Sequence, residues 1–184
     1  VEHVASGVFE GTRYLAMEWL EGQDLSQALT KGTLSPVETL ELATGIANAL
    51  AAAHRAGVIH RDIKPANIFL QAGDPARPKL LDFGIARSNS SPRLTKHGEA
   101  LGTPAYMAPE QARGANVTSA ADVFSLGCVL FECLAGKPPF WAEHPLAVMA
   151  KILLEDAPRL SDRAPSVPTA LVQLVDDMLA KEPE

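Results

Sequence analysis

The eight residues His60–Asn67 bring a carboxylate, two cationic side chains and a carboxamide together in one short stretch. Pro65 interrupts any helix and favours an extended backbone at Lys64, which predicts a rigid loop. The apolar runs Val58–Ile59 and Ile68–Leu70 flank this loop and predict two short strands or edges that fix its ends. Active sites are commonly presented on such loops, although a surface turn with solvated charges fits the same residues.

Four further motifs follow the loop in a fixed order. They are Asp82-Phe83-Gly84, Gly102-Thr103-Pro104, Ala108-Pro109-Glu110, and Asp122 with Ser125-Leu126-Gly127. In this order and spacing the set resembles the eukaryotic-type serine/threonine protein kinases, including their bacterial branch. The resemblance covers essentially the whole chain. It implies an α+β, protein-kinase-like fold, with a mostly helical large lobe and a short β-hairpin remnant of the small lobe.

Length and composition suit one soluble globular unit, with 184 residues of which 47% are hydrophobic. The net charge of −6 is dispersed, so no basic stripe indicates nucleic acid as a partner. Cys128 and Cys133 lie five apart on a predicted helix, where they cannot easily pair, which favours a reducing compartment. No run approaches the roughly 20 apolar residues of a membrane span, and no signal peptide is present. A cytoplasmic location is expected, with membrane anchoring beyond Glu184 left open.

The first part of the chain predicts a β-hairpin, because Val4–Phe9 and Tyr14–Leu20 are apolar-rich and flank a turn at residues 10–12. The kinase resemblance implies that residues 1–24 are the last strands of the small lobe and the hinge. Residues 25–184 would then be the large lobe, truncated at its C-terminal end. A plain hairpin followed by a capped helix fits the same residues.

Helix signals are strong in the remainder of the chain. Ser35 as cap, Pro36 at the first position and Glu38 at the third predict a helix start. Ala56-Gly57 ends that helix. Its predicted buried face consists of Leu40, Ala43, Ile46, Ala47, Leu50 and Ala53.

Three later helices are also predicted. Ser119 is expected to cap one of them, with Asp122 at its third position and Gly136 at its end. This helix is apolar nearly all round from Val123 to Leu134, so we expect it to be buried and central. The other two are amphipathic, over Pro145–Leu154 and Pro168–Ala180. A turn over residues 71–78 is expected to join two short strands.

The resemblance implies ATP and Mg²⁺ as cofactors and the Ser/Thr hydroxyls of proteins as acceptors. Asp62 would accept or orient the hydroxyl proton, while Asn67 and Asp82 would hold Mg²⁺, which prefers such oxygen ligands. Lys64 would meet the transferring phosphoryl group, with Thr103 near both. The remaining cofactor-binding residues implied are Met17 beside the adenine, Glu18 and Leu20 at its edge through their backbones, Asp24 near the ribose, and Phe69. Asp122 would cap its own helix and brace the loop from below.

Between Ile85 and Met107 there is little periodicity, which is typical of a functional or disordered loop. The resemblance identifies this stretch as the activation segment. Arg61 can pair with a phosphate placed there and so order the segment. We predict autophosphorylation at Thr95, ahead of the other candidates Ser88, Ser90, Ser91 and Thr103.

The kinase nucleotide site also needs a glycine-rich loop, a strand lysine and a helix glutamate, which would precede His3 and Val4. We therefore expect the chain to be a fragment that binds ATP poorly and phosphorylates little by itself. The alternatives are a pseudokinase or scaffold, a small-molecule phosphotransferase, and a helical interaction domain without chemistry. A zinc site at His54, His60 and Asp62 lacks a second pair of ligands.

Overall fold

The computed structural model describes residues 3–82 and 104–182. The strands in these ranges are β1 His3–Phe9, β2 Thr12–Met17, β3 Gly22–Asp24, β4 Ile68–Gln71 and β5 Pro78–Leu80. The helices there are α1 Leu25–Leu29, α2 Pro36–Arg55, α3 Pro109–Arg113, α4 Ala120–Ala135, α5 Pro145–Leu154, α6 Leu160–Arg163 and α7 Thr169–Met178. Short 3₁₀ turns occupy Pro65–Asn67 and Pro104–Tyr106.

The predicted hairpin is present, because β1 pairs with β2 in antiparallel register, with Gly7 opposite Tyr14. Its turn is made by Glu10 and Gly11, whose φ angles of 48° and 78° are both left-handed. Large apolar side chains remain exposed on the hairpin, among them Val4, Val8, Phe9, Tyr14 and Leu15.

A second, antiparallel sheet has the strand order β3-β4-β5 and includes a strand that the sequence did not predict. Gly22 opens β3 with a φ of 144°. A Cβ at this position would lie 2.1 Å from the carbonyl oxygen of Leu70, so the close pairing with β4 requires glycine. The predicted turn over residues 71–78 joins β4 to β5. Val58–Ile59, by contrast, forms no strand, so the loop is flanked by a strand only on its C-terminal side.

Helix α2 begins as predicted, with a capping box in which Ser35 and Glu38 exchange hydrogen bonds. Its buried face was predicted incorrectly in part. Thr39, Leu42, Ile46 and Leu50 are buried, whereas Leu40 is 45% exposed. The reason is that α2 packs against both β5 and α4, which rotates the buried stripe away from Leu40.

Helix α4 is the buried centre of the helical part, as predicted, and it packs against α2, α3, α6 and α7. It ends at Gly136, whose φ is 78°. The predicted cap is wrong, since Ser119 makes no capping bond; the hydroxyl of Thr118 accepts the N–H of Ala120 at 3.3 Å instead. Asp122 does not cap its own helix either, because its carboxylate points to the loop described below.

Helices α5 and α7 lie where the sequence predicts them. The short helices α3 and α6, of five and four residues, were not predicted. In the part of the chain that the structure describes, no helix combines the length and the apolar character needed to cross a membrane.

Candidate active site

The loop His60–Asn67 is held from below by a single buried carboxylate. Asp122 on α4 is fully buried, and its Oδ2 accepts the N–H of His60 at 2.9 Å while its Oδ1 accepts the N–H of Arg61 at 2.8 Å. His54 of α2 lies 2.7 Å from the same Oδ2. Asp122 therefore braces the loop backbone as predicted.

His60 connects the loop to the end of β5. Its side chain is fully buried, with Nε2 2.9 Å from the carbonyl oxygen of Leu81 and Nδ1 accepting the N–H of Asp62 at 3.3 Å. These contacts fit the neutral tautomer with the proton on Nε2. With His54 engaged by Asp122, the two histidines serve structural bonds rather than a zinc ion. Among residues 3–82 and 104–182, no group of three His, Cys, Asp or Glu side chains is placed to hold a metal.

The carboxylate of Asp62 collects the polar side chains of the loop. Lys64 Nζ donates to its Oδ2 at 2.8 Å, and Asn67 Nδ2 donates to the same oxygen at 3.0 Å. Asn67 Nδ2 also donates to the Asp62 carbonyl at 2.8 Å. The Asp62 side chain is 30% exposed. The structure thus brings three of the four predicted catalytic residues into direct contact.

Asp82 adjoins this cluster through the backbone. The N–H of Leu81 donates to the carbonyl of Asn67 at 2.8 Å, so Asp82 is the next residue along from that contact. Asp82 is exposed and has a left-handed φ of 52°. Because the Asn67 amide nitrogen faces Asp62, its oxygen is the atom left for a metal. An amide oxygen and a carboxylate fit Mg²⁺.

The residues predicted to bind the base and ribose of the nucleotide lie at the end of β2, in the segment that joins β2 to β3, and in the β3-β4-β5 sheet. Met17 ends β2 and is 44% exposed, and Leu20 is half-buried. Oε1 of Glu18 lies 3.4 Å from Nζ of Lys79 on β5, and this ion pair joins the segment after β2 to the strand that leads to Asp82.

Asp24 and Phe69 are opposite each other in the β3-β4 register. Asp24 caps α1 by accepting the N–H of Gln27 at 2.9 Å. Burial acts to raise the pKa of Asp24, but hydrogen bonds from Ser26 and Gln27 outweigh it, and the pKa is lowered below 3.8. A ribose hydroxyl would meet an ionised acceptor here.

Three residues for which the sequence predicted no individual role connect the stretch 104–113 to its surroundings. Tyr106 donates its hydroxyl to Glu132 at 2.6 Å, and Ser125 donates to the Tyr106 carbonyl at 2.6 Å. Gln111 donates to the carbonyl of Arg61 at 3.0 Å. Gln111 occupies the third position of α3, from which a glutamine can accept the N–H of the residue that precedes the helix, and this position is the signal that points to it. Phe83, Thr95 and Thr103 lie outside the described residues.

The braced loop, the Asp62 cluster and the neighbouring Asp82 are features of protein kinases. A sequence model of the protein kinase domain matches residues 4–184, and the chain belongs to the protein kinase family. This confirms the predicted family and the predicted α+β, protein-kinase-like fold.

Several curated relatives come from bacteria. Serine/threonine-protein kinase PknD of Mycobacterium tuberculosis is 44% identical over 179 residues, which are 96% of this chain and 27% of the relative. PknH of Mycobacterium bovis is 41% identical, over 97% of this chain and 30% of the relative. PkaA of Streptomyces coelicolor is 45% identical, over 92% of this chain and 31% of the relative. The chain thus spans about a third or less of the length of these relatives.

Proposed function

We propose that the protein containing this chain is a serine/threonine protein kinase that transfers the γ-phosphoryl group of ATP to protein hydroxyls. The observation that carries the proposal is the contact of Lys64 and Asn67 with the carboxylate of Asp62, at 2.8 and 3.0 Å. A carboxylate, a cation and a metal-binding amide on one braced loop supply what phosphoryl transfer needs, which is positioning and charge neutralisation. The relatives named above are all called serine/threonine-protein kinases.

Each loop side chain has a defined task in this proposal. Asp62 orients the acceptor hydroxyl and receives its proton, while Lys64 neutralises charge on the transferring oxygens. Asn67 and Asp82 hold Mg²⁺, which neutralises the phosphate charge when bound. A lysine at position 64 and the Gly102-Thr103-Pro104 motif resemble serine/threonine kinases in sequence, and both favour serine and threonine over tyrosine as acceptors.

The nucleotide would bind between the hinge and the sheet. Met17 would face the adenine, and the backbones of Glu18 and Leu20 would bond its edge. Asp24 would lie near the ribose, and Phe69 would form the floor of the site. In this proposal residues 1–24 belong to the small lobe and hinge, and residues 25–184 to the large lobe. Thr95 is the proposed autophosphorylation site.

A cytoplasmic location of the catalytic part is proposed on two grounds. ATP as co-substrate places the site on the side of the membrane where ATP is made. The two cysteines, Cys128 and Cys133, are also free and buried, and burial is the first cause that raises the pKa of both thiols. They are therefore unreactive core residues, as expected in a reducing compartment.

The experiment uses the full-length protein, radiolabelled ATP and a serine/threonine peptide library, followed by phosphoamino acid analysis. We expect label on serine and threonine, dependent on Mg²⁺ and abolished by EDTA. Label on an aminoglycoside but on no peptide would indicate a small-molecule phosphotransferase. Nucleotide binding without transfer would indicate a pseudokinase, and either result would overturn the proposal.

A further inference from the structure

The side chain of Gln111 connects α3 to the candidate catalytic loop across 50 residues of sequence. Its Nε2 donates to the carbonyl oxygen of Arg61 at 3.0 Å. Its Oε1 accepts the N–H of Ala108, the residue that precedes α3, at 3.0 Å. Because both ends of the amide are engaged, the direction in which the N–H groups point is fixed.

The carbonyl that Gln111 binds belongs to the peptide group that joins Arg61 to Asp62. The N–H of that same peptide group donates to His60 Nδ1 at 3.3 Å. Gln111 and His60 therefore hold the two polar ends of one peptide plane. The carboxylate of Asp62 projects from the residue immediately after this plane, so the plane sets where the carboxylate lies.

Arg61 needs such support because its φ of 66° lies in the left-handed region. A residue other than glycine keeps this conformation where several contacts with its surroundings hold it in place. Asp122 holds the N–H of Arg61 at 2.8 Å, and Gln111 holds its carbonyl. The two supports come from different helices, α4 and α3, so neither substitutes for the other.

Helix α3 is itself anchored. Tyr106, just before it, donates to Glu132 of α4 at 2.6 Å, and Ser125 of α4 donates to the carbonyl of Tyr106 at 2.6 Å. These bonds anchor the stretch 104–113 to α4, so the backbone of Gln111 is held in place relative to the loop.

We propose that Gln111 is a positioning residue for Asp62. It orients the peptide plane between Arg61 and Asp62 and ties the stretch 104–113 to the phosphoryl-transfer site. The inference rests on the proposed kinase function, and it assigns Gln111 no contact with substrate or nucleotide.

Two substitutions separate the two bonds of Gln111 in the full-length protein. Gln111→Glu keeps an oxygen that accepts the Ala108 N–H but has no donor for the Arg61 carbonyl. Gln111→Met has similar length, carries no charge and makes neither bond. Gln173→Glu is the matched control, because Gln173 also donates through Nε2, to Asp177 at 2.8 Å on the exposed face of α7.

We expect both Gln111 variants to lower kcat about 10- to 100-fold, with KM for ATP within about twofold of wild type. Gln173→Glu should leave both constants unchanged. An unchanged kcat in Gln111→Glu would overturn the proposal, and so would a loss confined to Gln111→Met, since only the capping bond would then matter.

Hydrogen exchange gives a readout that does not depend on activity. In Gln111→Glu the N–H of Asp62 should exchange at least about tenfold faster, while the amides of Ala108 and Ala112, which are hydrogen-bonded within this segment, keep their protection. Unchanged exchange at Asp62 would overturn the positioning role. If the wild-type protein transfers no phosphoryl group, the proposed function fails, and the exchange comparison still decides whether Gln111 fixes the peptide plane.

Discussion

Oδ1 of Asp122 accepts the backbone N–H of Arg61 at 2.8 Å, although the two residues lie 61 positions apart. This bond joins the buried central helix to the residue that precedes Asp62. The conformation of the loop is therefore coupled to the core, because this bond fixes the loop backbone to α4. The left-handed conformation of Arg61 is kept by this contact and by the bond from Gln111.

Asp122→Asn should destabilise the fold although it conserves shape. The carboxylate accepts N–H groups from His60 and Arg61 and lies 2.7 Å from His54 Nε2. An amide has one acceptor oxygen, so at least one buried donor loses its partner, at about 1–3 kcal/mol. Urea unfolding measures the loss. The exposed Asp156 offers the control Asp156→Asn, and equal stabilities of the two variants would contradict the bracing role.

Gly45→Ala should destabilise the protein despite the better helix propensity of alanine. A Cβ at residue 45 would lie 2.4 Å from Cγ of Pro78 on β5, and relief of such overpacking costs about 1–3 kcal/mol. In a Pro78→Ala background that Cγ is absent, and the remaining Cβ is 3.9 Å away. There Gly45→Ala should become stabilising, by up to about 1 kcal/mol. The test is the urea midpoint of four proteins: the wild type, Gly45→Ala, Pro78→Ala and the double variant. If the effects of the two substitutions on stability were additive, the clash would be excluded.

Glu132 should make stability depend on pH. Burial raises its pKa above 4.5, partly offset by the hydrogen bond from Tyr106. The folded state therefore binds the proton more tightly than the unfolded state, so stability falls as pH rises from 4.5 through the raised pKa. Glu132→Gln removes this dependence and can still accept the Tyr106 hydroxyl.

The measurement is urea unfolding of wild type and Glu132→Gln from below pH 4.5 to neutrality. The free energy of unfolding of the wild type relative to the variant should decrease across this range and then level off. A relative stability that increases with pH would mean that the carboxylate is stabilised in the fold, contrary to its burial.

Asn67→Asp should lower kcat. Asn67 Nδ2 donates to Asp62 Oδ2 at 3.0 Å, and the substitution replaces that donor with a second carboxylate. The lost hydrogen bond and the repulsion between the two carboxylates should displace Asp62 from the position in which it orients the acceptor hydroxyl. Steady-state kinetics should show a lower kcat for Asn67→Asp and no change for the control Asn48→Asp, on the exposed side of α2. An unchanged kcat in Asn67→Asp would contradict the role of this contact.

Much of the fold could be predicted from local chemistry. The capping box at Ser35 and Glu38 starts α2, and the glycines 57 and 136 end α2 and α4, because caps and left-handed stops act within one turn. The loop residues Asp62, Lys64 and Asn67 could be found as well, since their spacing along the sequence already brings them together.

Features that depend on distant partners could not be predicted. Strand β3 has three residues and exists because β4 pairs with it. The choice of Leu42 over Leu40 as a buried residue depends on the angle at which α2 packs on α4 and β5. Gln111 was missed for the same reason, because its acceptor on Arg61 lies 50 residues away.

The most direct test of the central claim is single-turnover phosphoryl transfer by full-length Asp62→Asn, with Asp162→Asn, at an exposed position of α6, as control. Asparagine keeps the size of the side chain but cannot take the proton of the acceptor hydroxyl. We predict a fall in the transfer rate of about 10²–10⁴-fold with nucleotide affinity preserved, and no change for the control. Transfer by Asp62→Asn at the wild-type rate would contradict the account.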